Sequence, residues 1–200
     1  MSVRGAYERH GVDGFYQERG AEYTNPHMPQ VAALLARWSS SAPRGMRILD
    51  LCCGSGEVTR ALREVGEYQV TGLDPYTHVA YERETGLKCL RYSFAELIRG
   101  ALERDLDVVA SGGPVYDHII CSFAMHLCPP EELYALTYTL FKYAPELILI
   151  TPHKRPDLES LTGVTLQETL IELTARGKRV TLKSYRMPDH PERLSSEMTP

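Results

Sequence analysis

The chain has little of what marks several protein classes. Its cysteines (52, 53, 89, 121 and 128) number only five in 200 residues, an odd count. None forms a C-x-x-C pair, so neither a disulfide framework nor a metal site is indicated. Reduced, buried thiols are expected instead. No apolar run reaches the roughly 20 residues that span a bilayer, and the N-terminus lacks a secretion-signal pattern. A soluble, cytoplasmic protein without membrane contact is therefore expected. Basic residues are not in excess. The net charge of −4 argues against a generally cationic nucleic-acid surface, so RNA is a partner that net charge does not indicate. Internal repeats and low-complexity tracts are absent. What remains, 43% hydrophobic and 24% charged, is the composition of an ordinary globular domain, large enough to bury a core without covalent staples.

What is present is an alternation. Met46–Leu51, Gln69–Leu73, Leu87–Tyr92, Tyr116–Cys121 and Glu146–Ile150 read as apolar strands. Helical patterns over Glu57–Val65, Thr77–Thr85, Phe94–Glu103 and Pro130–Tyr143 separate them, and Ser111–Pro114 is a turn signal. Near-continuous apolar strands joined by helices imply a parallel sheet covered on both faces. Asn25-Pro26 is a good helix start, followed by Val31, Leu34, Leu35 and Trp38 at helical spacing. The stretch from Leu166 to Leu173 suits a helix face, or a strand pairing with Arg179–Tyr185 through a turn at Ala175–Lys178. The organisation expected is an N-terminal helical extension or lid over 1–40, an α/β domain over 41–188 and a tail over 189–200.

The most informative segment is Ile48-Leu49-Asp50-Leu51-Cys52-Cys53-Gly54-Ser55-Gly56-Glu57-Val58-Thr59. A strand ends in an acid, passes through a glycine turn and opens a helix. That geometry places a nucleotide-like ligand across the carboxyl end of a parallel strand, with unpaired helix N–H groups facing it. A dinucleotide fingerprint needs a third glycine where Thr59 stands, which speaks against a nucleotide-dependent oxidoreductase. The Asp-x-x-Cys-Gly-x-Gly pattern resembles the first motif of the S-adenosylmethionine-dependent methyltransferases of the Rossmann-like class. It departs from that motif at Cys52, where the family usually has glycine.

The resemblance covers about residues 25–186. It implies a single-domain doubly wound, mostly parallel sheet that closes with an antiparallel C-terminal strand, which favours the hairpin over the helix for 166–185. Asp74 stands about twenty residues beyond the glycine turn, where a carboxylate accepts from ribose hydroxyls; capping the next helix is the other use. The resemblance further implies Asp50, Cys52, Gly54 and Gly56 near the methionine moiety, Ser93 and Phe94 beside adenine, and Cys121 at the end of the fourth strand. Phe94 is equally suited to a core. Tyr16 and Tyr23 are cofactor candidates from a lid whose aromatic faces attract a sulfonium, with packing against the sheet edge as the plainer alternative.

Two histidines are candidate catalytic groups. His126 follows the fourth strand in a stretch resembling the family's fourth-strand motif, and its imidazole titrates near neutrality; a local hydrogen bond would also explain it. His153 opens the loop Thr151–Pro156, with Lys154 and Arg155 beside it, at the sheet edge where substrates bind. That loop reads either as a substrate site for a carboxylate or phosphate, or as a base, or as a solvated charge run. His27, Lys154 and Arg155 are the substrate-side candidates. The function implied is methyl transfer from S-adenosylmethionine to an acceptor, a small molecule ahead of RNA or protein. The alternative is a non-catalytic, cofactor-binding partner or regulatory subunit.

Overall fold

A computed structural model describes residues 27–105 and 115–187. Tyr16, Tyr23, the Asn25-Pro26 helix start, the Ser111–Pro114 turn and the 189–200 tail lie outside the described residues. The described helices are α1 (Met28–Ser39), α2 (Glu57–Val65), α3 (His78–Thr85), α4 (Phe94–Ile98), α5 (Ala101–Asp105) and α6 (Leu133–Tyr143). The strands are β1 (Arg47–Leu51), β2 (Gln69–Leu73), β3 (Cys89–Leu90), β4 (His118–Ser122), β5 (Glu146–Thr151), β6 (Thr165–Leu173) and β7 (Arg179–Arg186). They form one sheet of 7 strands in the order β3-β2-β1-β4-β5-β7-β6.

Alternation along each strand explains the layering, because successive side chains leave opposite faces. Leu49, Leu51, Ile119, Cys121, Leu147 and Leu149 join one core with Leu97, Leu102, Leu136, Leu140 and Phe141 from α4, α5 and α6. Ile48, Ile120, Ile148 and Ile150 face the other way, onto Val31, Leu34, Leu35 and Trp38 of α1 and Val58 and Leu62 of α2. Both faces of the central strands are dry, as their unbroken apolar runs require.

β1 to β5 pair in parallel, and β7 lies antiparallel between β5 and β6. Residues 165–186 therefore form the hairpin, not the helix. Lone antiparallel β7 carries Val180 and Leu182 into the second core and Tyr185 into the first. At the opposite edge of the sheet from the strand-end loops, Glu146 accepts hydrogen bonds from Ser184 and from Arg186 at 2.9 and 3.0 Å.

Four elements differ from the sequence expectation, one of them the helix expected from Pro130, which starts at Leu133. α1 starts at Met28, with His27 at its N-cap making no side-chain cap bond and Pro29 in the first turn. The third strand is trimmed to Cys89–Leu90. The helix expected over Phe94–Glu103 is two short ones, because Gly100 adopts φ 76° and a left-handed residue ends a helix. Among the described residues no helix is long and apolar enough to cross a membrane.

Candidate active site

Strands β1, β2 and β3 step outward to one side, and β4 returns to pair with β1. That reversal opens a crevice at the carboxyl ends of β1 and β4, the place where ligands bind in such sheets. A cavity of about 440 Å³ lies there, within the range of small-molecule sites. Its wall follows the strand order: Tyr92, Ser93 and Phe94 after β3, then Asp74 to Thr77 after β2, Asp50 and Cys52 to Gly54 around the end of β1, and Ser122 to Ala124 at and beyond the end of β4.

The β1 turn is built by three left-handed positions, Cys52, Gly54 and Gly56, and a buried acid. Cys52 has φ 55°, a conformation that costs a side-chain-bearing residue and suits glycine. This explains why the resembled motif has glycine there, and the turn survives the exchange. Gly56 has φ 90°, and a Cβ on it would meet Thr85 Cγ2 at 2.4 Å. It caps α2 without lining the cavity. Asp50 is fully buried. Its Oδ2 accepts from the Thr59 N–H at 3.2 Å and the Thr59 hydroxyl at 2.7 Å. Its Oδ1 is buried with no hydrogen-bond partner among the described residues. Burial, opposed by the Thr59 hydroxyl and aided by nearby Glu57, pushes the carboxyl up to about 8.

Asp74 does both things the sequence allows. Its Oδ1 accepts the N–H groups of Tyr76 (2.8 Å) and Thr77 (2.9 Å), shaping the entry to α3. Its Oδ2 is turned to the Gly54 N–H at 3.3 Å, a longer bond, and faces the cavity wall. One carboxylate oxygen is thus committed to the turn and the other is left weakly held at the ligand side. Ser93 caps α4 in a reciprocal pairing with Glu96, which fixes Ser93 and Phe94 on the wall. Those hydrogen bonds, from the Ser93 backbone and then its hydroxyl, hold the Glu96 carboxyl below its ordinary value.

The remaining candidates sort by position. Cys121 is buried and does not line the cavity. Its thiol is in hydrogen-bonding contact with that of Cys52, both being free cysteines, and this contact, then burial, drives the Cys52 thiol well above its ordinary value. Cys53 and Cys89 approach at 3.5 Å and are free thiols. His27 stacks on Phe123, centroids 5.1 Å apart and planes 12° apart, so α1 reaches the wall where Phe123 sits at φ 59°. His126 and His153 come together outside the wall, with ring centroids 4.5 Å apart. Lys154 and Arg155 are exposed on the loop after β5. Among the described residues no group of three or more His, Cys, Asp or Glu side chains is placed to hold a metal ion.

Sequence reasoning missed Tyr76, Thr77, Tyr92, Ser122, Phe123, Leu127 and Pro129, all on the wall. Their signal is position: each stands at or beyond the end of a strand. Ser122 matters most, because its buried Oγ has no hydrogen-bond partner among the described residues.

Against known proteins, the methyltransferase-domain family matches residues 23–157. A Schizosaccharomyces pombe protein, uncharacterized protein C17A5.05c, is 28% identical, covering 81% of this chain and 79% of its own length. Among solved structures, the magnesium protoporphyrin IX methyltransferase of Synechocystis with bound S-adenosylmethionine superposes with a TM-score of 0.60. It is 19% identical, over 92% of this chain and 95% of that one. A TehB-like S-adenosylmethionine-dependent methyltransferase of Corynebacterium glutamicum gives a TM-score of 0.57 at 14% identity, over 92% and 99%. The shared property is the fold.

Proposed function

The chain belongs to the methyltransferase-domain family, and from that premise we propose that it transfers a methyl group from S-adenosylmethionine to a small-molecule acceptor. The carrying observation is the set of polar atoms that the fold leaves unpaired or weakly paired along one wall. Asp50 Oδ1 and Ser122 Oγ are buried without hydrogen-bond partners among the described residues, and both residues line the cavity. An amino-acid ammonium supplies hydrogen-bond donors that a buried carboxylate and hydroxyl otherwise lack. Asp74 Oδ2 suits a ribose hydroxyl, and the Phe94 and Tyr92 rings offer flat apolar surface to a base. The residues present fit the cofactor.

When bound, S-adenosylmethionine supplies an electrophilic methyl on a sulfonium, so the cofactor carries the hard chemistry. The protein's part is to hold and align. Asp50, itself held by Thr59, fixes the amino-acid end; Asp74 fixes the ribose; Ser93 and Phe94 fix the base. Orientation of this kind can contribute ~7–11 kcal/mol toward the barrier. His27, Lys154 and Arg155 sit on the acceptor side, and the two cations suit a carboxylate or phosphate elsewhere on the acceptor. The small-molecule reading is supported by the cavity at the strand ends and by the absence of net positive charge. It is also supported by the Synechocystis neighbour, whose name gives a porphyrin as its substrate.

The test supplies methyl-labelled S-adenosylmethionine together with cell extract separated into small-molecule, RNA and protein fractions. Label in the small-molecule fraction is expected. Label confined to RNA or protein overturns the acceptor class. No label anywhere, with cofactor bound, favours a non-catalytic subunit.

A further inference from the structure

Beside the cavity, but not in its wall, two imidazoles meet. His126 belongs to the single 3₁₀ turn Met125–Leu127. In such a turn residues three apart share a side, and Ala124 and Leu127 both face the cavity. Met125 is buried in the core. His126 is left to reach across to the loop after β5, where it contacts His153 with centroids 4.5 Å and planes 45° apart. The His126 Nδ1 is buried with no hydrogen-bond partner among the described residues. His153 is exposed, and its backbone N–H is tied to the Thr151 hydroxyl at 3.0 Å. The inner ring is therefore held against a ring that reaches solvent, at the sheet edge from which an acceptor must approach a cofactor lying over β1 and β4.

Burial, and then His153, pushes the His126 imidazole down to about 4. At neutral pH it carries a lone pair and no charge. The charged or titratable group shown against it is His153 from the β5 loop, which Lys154 and Arg155 follow in the chain. Packing alone does not call for this arrangement, since an apolar side chain would fill the place without a stranded nitrogen.

We propose that His126 and His153 form a proton-accepting pair at the acceptor site, and that the acceptor's reacting group is a neutral hydroxyl. The inference rests on the cofactor reading above. The hydroxyl oxygen's lone pair forms the new bond to the methyl carbon as the carbon–sulfur bond breaks and its electron pair stays on sulfur. The hydroxyl proton passes to His126, and the imidazolium, disfavoured by burial and by His153, then gives it up to water. A weak base suffices, because an oxygen that has begun to bond to carbon holds its proton far less firmly than an imidazolium does. An alkylammonium would keep its proton against such a base, and a carboxylate or thiolate has none to lose.

Two readouts test this. In protein saturated with S-adenosylhomocysteine, phenol is expected to perturb the His126 and His153 side-chain nitrogen resonances, whereas anisole, which lacks the proton, leaves them nearly unmoved. Equal perturbation by both, or none by phenol, overturns the pair as a hydroxyl site while leaving cofactor binding intact. With S-adenosylmethionine and mixed phenols, alcohols, amines, carboxylates and thiols, methylated hydroxyl compounds are expected. His126→Gln should slow their single-turnover formation by about 10²-fold with S-adenosylhomocysteine affinity unchanged. Methylation of another class, or an undiminished rate, overturns the inference. If the homologue does not bind, the cofactor reading fails and this one with it.

Discussion

Thr59 donates both its backbone N–H and its hydroxyl to one oxygen of Asp50, at 3.2 and 2.7 Å. The same hydroxyl lies 3.1 Å from the Tyr81 hydroxyl, and the Tyr81 ring packs where a Cβ on Gly72 would fall, at 2.3 Å. The first helical turn of α2 thus holds the strand-end acid in place from behind and leaves its other oxygen to the cavity. Thr59→Val removes the hydroxyl donor from a buried carboxylate and keeps the shape. A loss of about 1–3 kcal/mol is expected, read as a lower midpoint in urea unfolding with unchanged slope.

The raised Asp50 carboxyl links cofactor binding to protons. Free protein holds that proton up to a pH of about 8. A cationic ammonium beside Oδ1 favours the ionised form. Binding near pH 7 should therefore release close to one proton, and affinity should rise with pH from about 6 to 8. Calorimetry in buffers of different ionisation enthalpy measures the release, which Asp50→Asn should abolish. Between the ordinary 3.8 and about 8 the native state binds more protons than the unfolded chain, so Asp50 makes the free protein less stable as pH rises.

Glu146 acts with the opposite sign. Burial opposes its ionisation, but hydrogen bonds from His118, Ser184 and Arg186 outweigh it and hold the carboxyl down to about 2, against an ordinary 4.5. Its contribution, on the order of 3 kcal/mol for such a shift, is fully present above 4.5 and lost as pH falls toward 2. The slope of stability against pH across that window should flatten in Glu146→Gln, measured by denaturant unfolding.

Backbone conformation separates the two small residues of the turn. Gly56→Ala adds a methyl at φ 90°, 2.4 Å from Thr85 Cγ2, and should cost about 1–3 kcal/mol with weakened cofactor binding. Cys52→Gly relieves a left-handed side-chain-bearing residue (φ 55°) while giving up the thiol contact with Cys121. These effects oppose each other, so thermal stability should change by less than about 1 kcal/mol. Cys52→Val, a branched residue at the same φ, should be clearly destabilising by the same measurement.

Strands β1, β2, β4 and β5 were legible because burial on both faces leaves unbroken apolar runs, and the order of elements followed from their alternation with helices. β3 was overdrawn because only Cys89 and Leu90 find a partner strand. The helix after it was overdrawn because Gly100 was read as helix interior. At the site, Asp50, Cys52, Gly54, Asp74, Ser93 and Phe94, implied by the resemblance, line the cavity, whereas Gly56 and Cys121, implied with them, do not. Ser122 and Phe123 were not legible, since nothing local in the sequence shows which residue of a strand-end loop turns inward. The meeting of His126 with His153 depends on β4 and β5 lying side by side, with Ser122 opposite Ile150, a relation that local spacing does not encode.

On this reading the cavity binds S-adenosylmethionine through the carboxylates of its β1 and β2 ends. The direct measurement is calorimetric titration with S-adenosylhomocysteine of the native protein and of Asp74→Asn. That substitution keeps an oxygen for the Tyr76 and Thr77 N–H groups but removes the charged acceptor at the Gly54 side. Saturable one-to-one binding, weakened at least tenfold by the substitution in a folded protein, is the predicted result. No binding by folded native protein, or equal binding by both, would contradict the account.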